Sequence, residues 1–184
     1  MTQSATCPSA KPWPFRLVGV SIGVAALLTT LMGCALIGSD GQSKESADAA
    51  LLAIPGVSDA SVNTRSIRSG FQVETTTTVK ISLQTGFEVP RPDVLVNYLL
   101  AAAWSTETKE ANSTIVVIVS GHPQISVLDA LDAGEWTRKS GNPQFAERAS
   151  VSADEVKGRF GDWPGEVPEM PNGLIVAPTP EPTP

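Results

Sequence analysis

Residues Gln72 to Leu83, "QVETTTTVKISL", alternate in character without a break. Val73, Thr75, Thr77, Val79, Ile81 and Leu83 point to one side, and Gln72, Glu74, Thr76, Thr78, Lys80 and Ser82 to the other. Strict period two over that length describes a strand with one packed face and one wet face. The Thr75–Thr78 run invites a glycosylation or ice-binding reading, but threonine is β-branched and fills strands for that reason alone.

The neighbours of this strand follow from the flanking sequence. "VSDASVNTRSI" reads as a preceding strand with Ala60, Val62 and Thr64 alternating, and Ser69-Gly70 as the hairpin turn between the two. Pro92 suits the first turn of a helix over "PDVLVNYLLAAAWS". Leu95, Tyr98, Leu99 and Ala102 form one stripe of that helix, while Val94, Val96, Leu100, Ala103 and Trp104 make its other sides apolar as well. A helix apolar all round is covered on more than one side. The chain's own C-terminal third is the expected cover. A partner protein or second copy at Leu100, Ala103 and Trp104, with Trp163 alongside, is the alternative. "STIVVIVSG" then reads as a strand buried on both faces and central in its sheet.

Shorter signals complete the outline. A first helix is expected over "ADAALLAI", capped by Ser46 or a near neighbour and ended by Pro55-Gly56. "ISVLDALDAGEW" suggests a short third helix, and Ser152 to Glu155, "SADE", fits a capping box that opens another. "GLIVA" is a candidate edge strand, and "PTPEPTP" an extended proline-rich end. The helix between two neighbouring strands makes them parallel, with a right-handed crossover. The expected fold class is α+β: a small twisted mixed sheet of three or four strands with helices on one face, ferredoxin-like in element order over 46–135. A flexible N-terminal tether and a Pro-rich C-terminal tail flank it. The domain boundaries predicted are 1–33 signal peptide, 34–45 lipidated tether, 46–160 α+β domain and 161–184 tail.

Charge and cysteine content narrow the function classes. The net charge is −6, and residues 1–33 carry Lys11 and Arg16 but no acid, so without them it falls to −8. Such a surface repels phosphate backbones, which argues against nucleic-acid binding. The two cysteines, Cys7 and Cys34, both precede the folded region. That region therefore has no disulfide framework, thiol nucleophile or thiolate metal site.

The N-terminal segment carries the clearest address. Residues 1–16 are basic and residues 17–33, "LVGVSIGVAALLTTLMG", are uncharged. A positive end that stays inside and an apolar stretch that enters the bilayer are the physics of export. With Leu31 three residues before Cys34 and Gly33 directly before it, this stretch resembles a bacterial lipoprotein signal peptide with its lipobox, Leu31-Met32-Gly33-Cys34. The resemblance implies that Cys34 receives diacylglycerol and becomes the mature amino terminus, held in membrane lipid on the extracytoplasmic face. The rival reading takes Leu17 to Ile37 as an uncleaved helix of about 31 Å, long enough to span a hydrocarbon core. Both readings place the remainder outside the cytosol.

Chemistry is sparsely encoded. His122, the only histidine, lies in "SGHPQ" after the expected central strand and reads as a turn residue. It lacks the companions of a zinc set or a nucleophile elbow. Asp129, Asp132 and Glu135 would share a helix face, where a solvated acidic surface is the default over a hard-cation site. Trp136 and Trp163 offer indole faces for a sugar or peptide, or pin the tail to the domain. Asn112-Ser113-Thr114 matches a glycosylation sequon that a bacterial lipobox makes irrelevant. The expected function is a lipid-anchored, non-catalytic binding or accessory module of the cell envelope, with no catalytic, cofactor or metal residues. Its partners would be membrane lipid through Cys34, together with an envelope protein or a second copy. The alternatives are an envelope hydrolase using His122 with Asp129 or Asp132, and a single-pass anchored subunit of an envelope complex docking through its second helix.

Overall fold

The computed structural model describes residues 41–178, and the predicted signal segment, Cys34 and the last proline-rich residues lie outside that range. In chain order the elements are α1 (Lys44–Leu52), β1 (Val57–Ser69), β2 (Gln72–Leu83), α2 (Pro92–Trp104) and β3 (Thr114–Ser120). They continue with α3 (Val127–Ala133), β4 (Arg138–Gly141), a single 3-10 turn at Pro143–Phe145, β5 (Arg148–Ser152) and α4 (Ala153–Phe160). The expected α+β class with a mixed sheet is what forms. The sheet has five strands in the order β1-β2-β3-β5-β4.

The long alternating segment is β2, and its register shows why the alternation is so strict. Antiparallel β1 sits on one side of it, with Val62 opposite Val79 and Thr64 opposite Thr77. Parallel β3 sits on the other, with Val79 opposite Val117 and Ile81 opposite Val119. Gly70 opens the two-residue loop between Ser69 and Gln72 at φ 61°, a conformation that glycine adopts without steric cost.

All the strand residues that join the main apolar core come from one face of the sheet. They include Ala60 and Val62, Val79 and Ile81, Ile115, Val117 and Val119, and Ala149 and Val151. The helices pack on that face, which gives two layers. The opposite face is open to solvent and largely polar. Thr76 and Thr114 share a hydrogen bond across it (3.2 Å), as do Ser140 and Ser150 (2.7 Å).

Several expectations need correction. The sheet has one or two strands more than the sequence pattern suggests. The extra pairing is β4 against β5, and "RKSG" in β4 is exposed throughout, so it carries no apolar period to read. The ferredoxin-like order also fails. A split βαβ unit leaves room for a strand between its parallel pair, whereas β2 and β3 here are direct neighbours. "GLIVA" forms no strand of the sheet. Leu174 and Ile175 are buried, and Val176 makes an isolated antiparallel bridge with Glu88 (3.0 and 2.9 Å).

Residues on either side of 46–160 also make contacts with the domain. Residues 41–45, assigned to the tether, belong to the fold: Gln42 donates to the Ser105 carbonyl (2.8 Å) and accepts from the Glu107 N–H (2.9 Å). Ser43 rather than Ser46 caps α1, its hydroxyl accepting from the Ser46 N–H at 3.1 Å. Residues 161–178 of the predicted tail likewise pack on the domain. The Trp104 indole donates to the Gly161 carbonyl (3.0 Å), and a Cβ on Gly165 would stand 2.6 Å from Trp104 Cδ1. Gly165 thus permits the close approach that closes the tail over the end of α2.

Candidate functional site

The structure removes most of the side chains that the sequence offers for contact. Leu100 and Ala103 are buried, and Trp104 is 1% exposed, so three of the four residues suggested as a partner surface belong to the core. Elements of the chain's own C-terminal third cover part of α2, Trp104 directly through Gly161 and Gly165. α3 and α4 pack on α2, and Val167 and Pro168 line a groove with Val94, Asn97 and Tyr98. Burial at that place pushes the Tyr98 phenol above its ordinary value of 10.0. Trp163 is half-buried against the core, which suits an indole that pins the tail.

Trp136 is not a free stacking platform either. It is buried, with the Arg159 guanidinium 3.8 Å from its ring centroid and Phe160 at 5.8 Å. Arg159 also donates to the carbonyls of Gly134 (2.9 Å) and Glu135, and Glu135 is the one described non-glycine residue with positive φ, at 58°. One arginine therefore holds a strained corner and covers an aromatic ring at once.

The candidate chemical groups are dispersed. His122 is exposed in the turn after β3, where its carbonyl accepts from the Gly86 N–H (2.9 Å). No hydrogen bond or ion pair joins it to Asp129 or Asp132 among the described residues. Asp132 pairs with Arg138 at 2.9 Å, and the Asp129 N–H is taken by the capping hydroxyl of Ser126 (3.1 Å). Glu155 does not reach back to close the capping box at Ser152. It accepts instead from the Thr137 N–H (2.9 Å) and from Arg159 (3.2 Å), which ties α4 to the chain leading into β4. Among the described residues no group of three His, Cys, Asp or Glu side chains converges as a metal site would require. Lys157 meets Asp162 at 3.1 Å and Glu110 at 3.8 Å, and its ammonium is pushed above the ordinary 10.5, first by the hydrogen bond to Asp162.

Two surface features remain. The first is a groove of about 590 Å³ on the open sheet face, lined by Val116, Ser140, Ser150, Arg148 and the exposed ring of Phe145. The second is the end of the β1–β2 hairpin. β3 pairs with β2 only from Thr76 to Ser82, so the hairpin continues past the sheet as a free arm. The arm carries the exposed apolar side chains Ile67, Phe71 and Val73. Asn112 braces its base: its amide oxygen accepts from the Thr75 N–H (2.7 Å), and its amide nitrogen donates to the Val73 carbonyl (2.8 Å). The sequence marks Asn112 only as part of a sequon and not as a brace, because a side chain that mimics a strand partner leaves no periodic signal. Phe71 had a signal that went unread, a large aromatic beside the glycine of a hairpin turn.

No family model matches the chain, and no curated protein or solved structure matches it. No helix among the described residues is long and apolar enough to cross a membrane.

Proposed function

We infer that the protein is a lipid-anchored protein of the bacterial cell envelope that acts by contact rather than by catalysis. The observation that carries this reading is Leu31-Met32-Gly33-Cys34 at the end of an uncharged stretch with a basic start, followed by an acidic globular region. Diacylglycerol on Cys34 would hold the domain on the extracytoplasmic face, and two acyl chains at about 0.8 kcal/mol per buried CH₂ anchor stably where one exchanges. The open-face groove around Val116, Phe145 and Arg148 supports an accessory role, since it offers an apolar floor, a cation and hydroxyls to an envelope protein. The hydrolase alternative would need His122 beside an acid, and the neighbouring carboxylates are engaged elsewhere or stand apart from it.

The test is the intact mass of membrane-extracted wild type beside Cys34→Ala. Wild type should begin at Cys34 and carry acyl chains, and the variant should keep residues 1–33. A wild-type mass that includes Met1 and no lipid overturns the anchor. A His122→Ala protein that folds normally should retain its role in cells, and loss of that role would favour the hydrolase.

A further inference from the structure

We propose that the tip of the β1–β2 arm is a second membrane contact, inserting Phe71 among lipid headgroups and orienting the domain on the bilayer. The proposal adds to the lipid-anchor reading: its first two observations are separate from that reading, and its third rests on it.

The first is exposure. Phe71 is fully exposed at the turn, and Ile67 (54%) and Val73 are exposed on opposite faces of the paired strands behind it. A fully exposed aromatic held out on a protruding turn, with apolar side chains on both faces behind it, marks a contact surface. The arm extends about 17 Å beyond the last pairing with β3, at about 3.4 Å per residue, so nothing on the body of the domain can cover the tip.

The second is charge. Within a chain of net charge −6, the arm carries Arg65 and Arg68, both exposed, and Lys109 reaches its base through Ser66 (2.8 Å). Glu74 is the one acid among residues 65–74. Glu107 and Glu110 sit further back on the α2–β3 connection, where Glu110 faces Lys157. An apolar tip with a basic collar complements an anionic lipid surface, where each nearby cation contributes about 1 kcal/mol.

The third is polarity of the fold. The arm leaves the sheet at the Thr76–Thr114 end. Gln42, where the chain joins the domain, bonds Ser105 and Glu107 at the C-terminal end of α2, which leads into that same end of β3. The stretch from Cys34 to Gly41 spans at most about 25 Å when fully extended. A lipid at Cys34 would therefore keep this end of the domain, with its arm, close to the bilayer. A protein partner fits the tip less well: Phe71 on a two-residue turn, with Ile67 and Val73 on the strands behind it, supplies far less than the roughly 800 Å² that each side of a standard interface buries.

The experiment places a photoreactive benzoylphenylalanine at Phe71 or, in a separate protein, at Phe145 in the full chain, with cells irradiated and adducts identified by mass. Phe145 is the matched control. It is also an exposed aromatic, but it lies on the β4–β5 connection, beyond the Ile118–Arg148 pairing at the other end of the sheet. Lipid adducts at position 71 should exceed those at 145 by roughly tenfold, the partition gained by burying one aromatic side chain. Phe71→Ser purified in vesicles containing phosphatidylglycerol should lose protease protection of the arm, while wild type keeps it. Equal capture at the two positions, absence of lipid capture at 71, or capture of protein alone at 71 overturns the proposal. The mass of Cys34 in the same sample separates the two readings. An acylated Cys34 without lipid capture at 71 sinks the arm alone, and capture at 71 with an unmodified Cys34 sinks the anchor alone.

Discussion

Two isoleucines of one hairpin meet different surroundings. Ile81 in β2 is fully buried between Ala60 of β1 and Val119 of β3, whereas Ile67 in β1 faces Glu74 across the arm and is largely exposed. Both lie in regular antiparallel pairing, so the hairpin's own hydrogen bonds do not distinguish them. The difference has two parts: Ile81 points to the sheet face that the helices cover, whereas Ile67, in register with Glu74, points to the open face and lies beyond the last pairing with β3. Burial in this sheet is thus set by the face a residue takes and by its lateral neighbours, and the arm is the part of the hairpin left free for contact with something else.

Substitutions at these two positions should separate the halves sharply. Ile81→Ala should lower stability to chemical denaturation by about 2–5 kcal/mol, through lost burial and a cavity. Ile67→Ala should change it by no more than about 0.5 kcal/mol. A large effect at Ile67 would show that the arm packs against the domain in solution. Asn112 marks the border between the halves. Asn112→Ala removes two bonds to β2 and should cost about 1–3 kcal/mol, with faster amide exchange at Thr75 and little change at Val79. Ser43→Ala, which removes the cap of α1 where the chain joins this end of the sheet, should cost about 1 kcal/mol in thermal or denaturant unfolding.

The smallest effect concerns the helix layer rather than the hairpin. Tyr98 and Lys157 both have folded-state pKa values raised above their ordinary 10.0 and 10.5. The folded state therefore holds these protons longer than the unfolded one, and stability falls as pH rises beyond about 10. Tyr98→Phe should flatten the part of the fall that begins near 10.0. Asp162→Asn should lower the Lys157 titration seen by NMR toward 10.5, with little change in stability because that pair is exposed. Neither change should alter amide exchange in the arm, and an effect there would show that the two layers are coupled.

Much of the framework was legible in the residues. The bounds of β2 and the start of α2 at Pro92 match the periodic and capping signals, and β3 is central as its uninterrupted apolar run suggests. Other elements were less legible because their signals are not periodic. β4 is held by pairing to β5 and by Lys139 donating to the Ser113 carbonyl (3.0 Å), with no buried side chain of its own. The candidate surfaces were harder still. Leu100, Ala103 and Trp104 look available on a helical wheel, and only the tertiary packing around α2 hides them. Phe71 looks like any strand-end aromatic until the length of β3 is known.

Local chemistry alone determined which residues alternate, where helices can begin, and that an uncharged run with a basic start precedes Cys34, because these depend on neighbours within a few positions along the chain. Tertiary structure alone decided which apolar faces are covered and which remain open. That outcome depends on where each strand stops pairing and where residues 161–178 come to rest, and both are set by contacts between segments far apart in sequence.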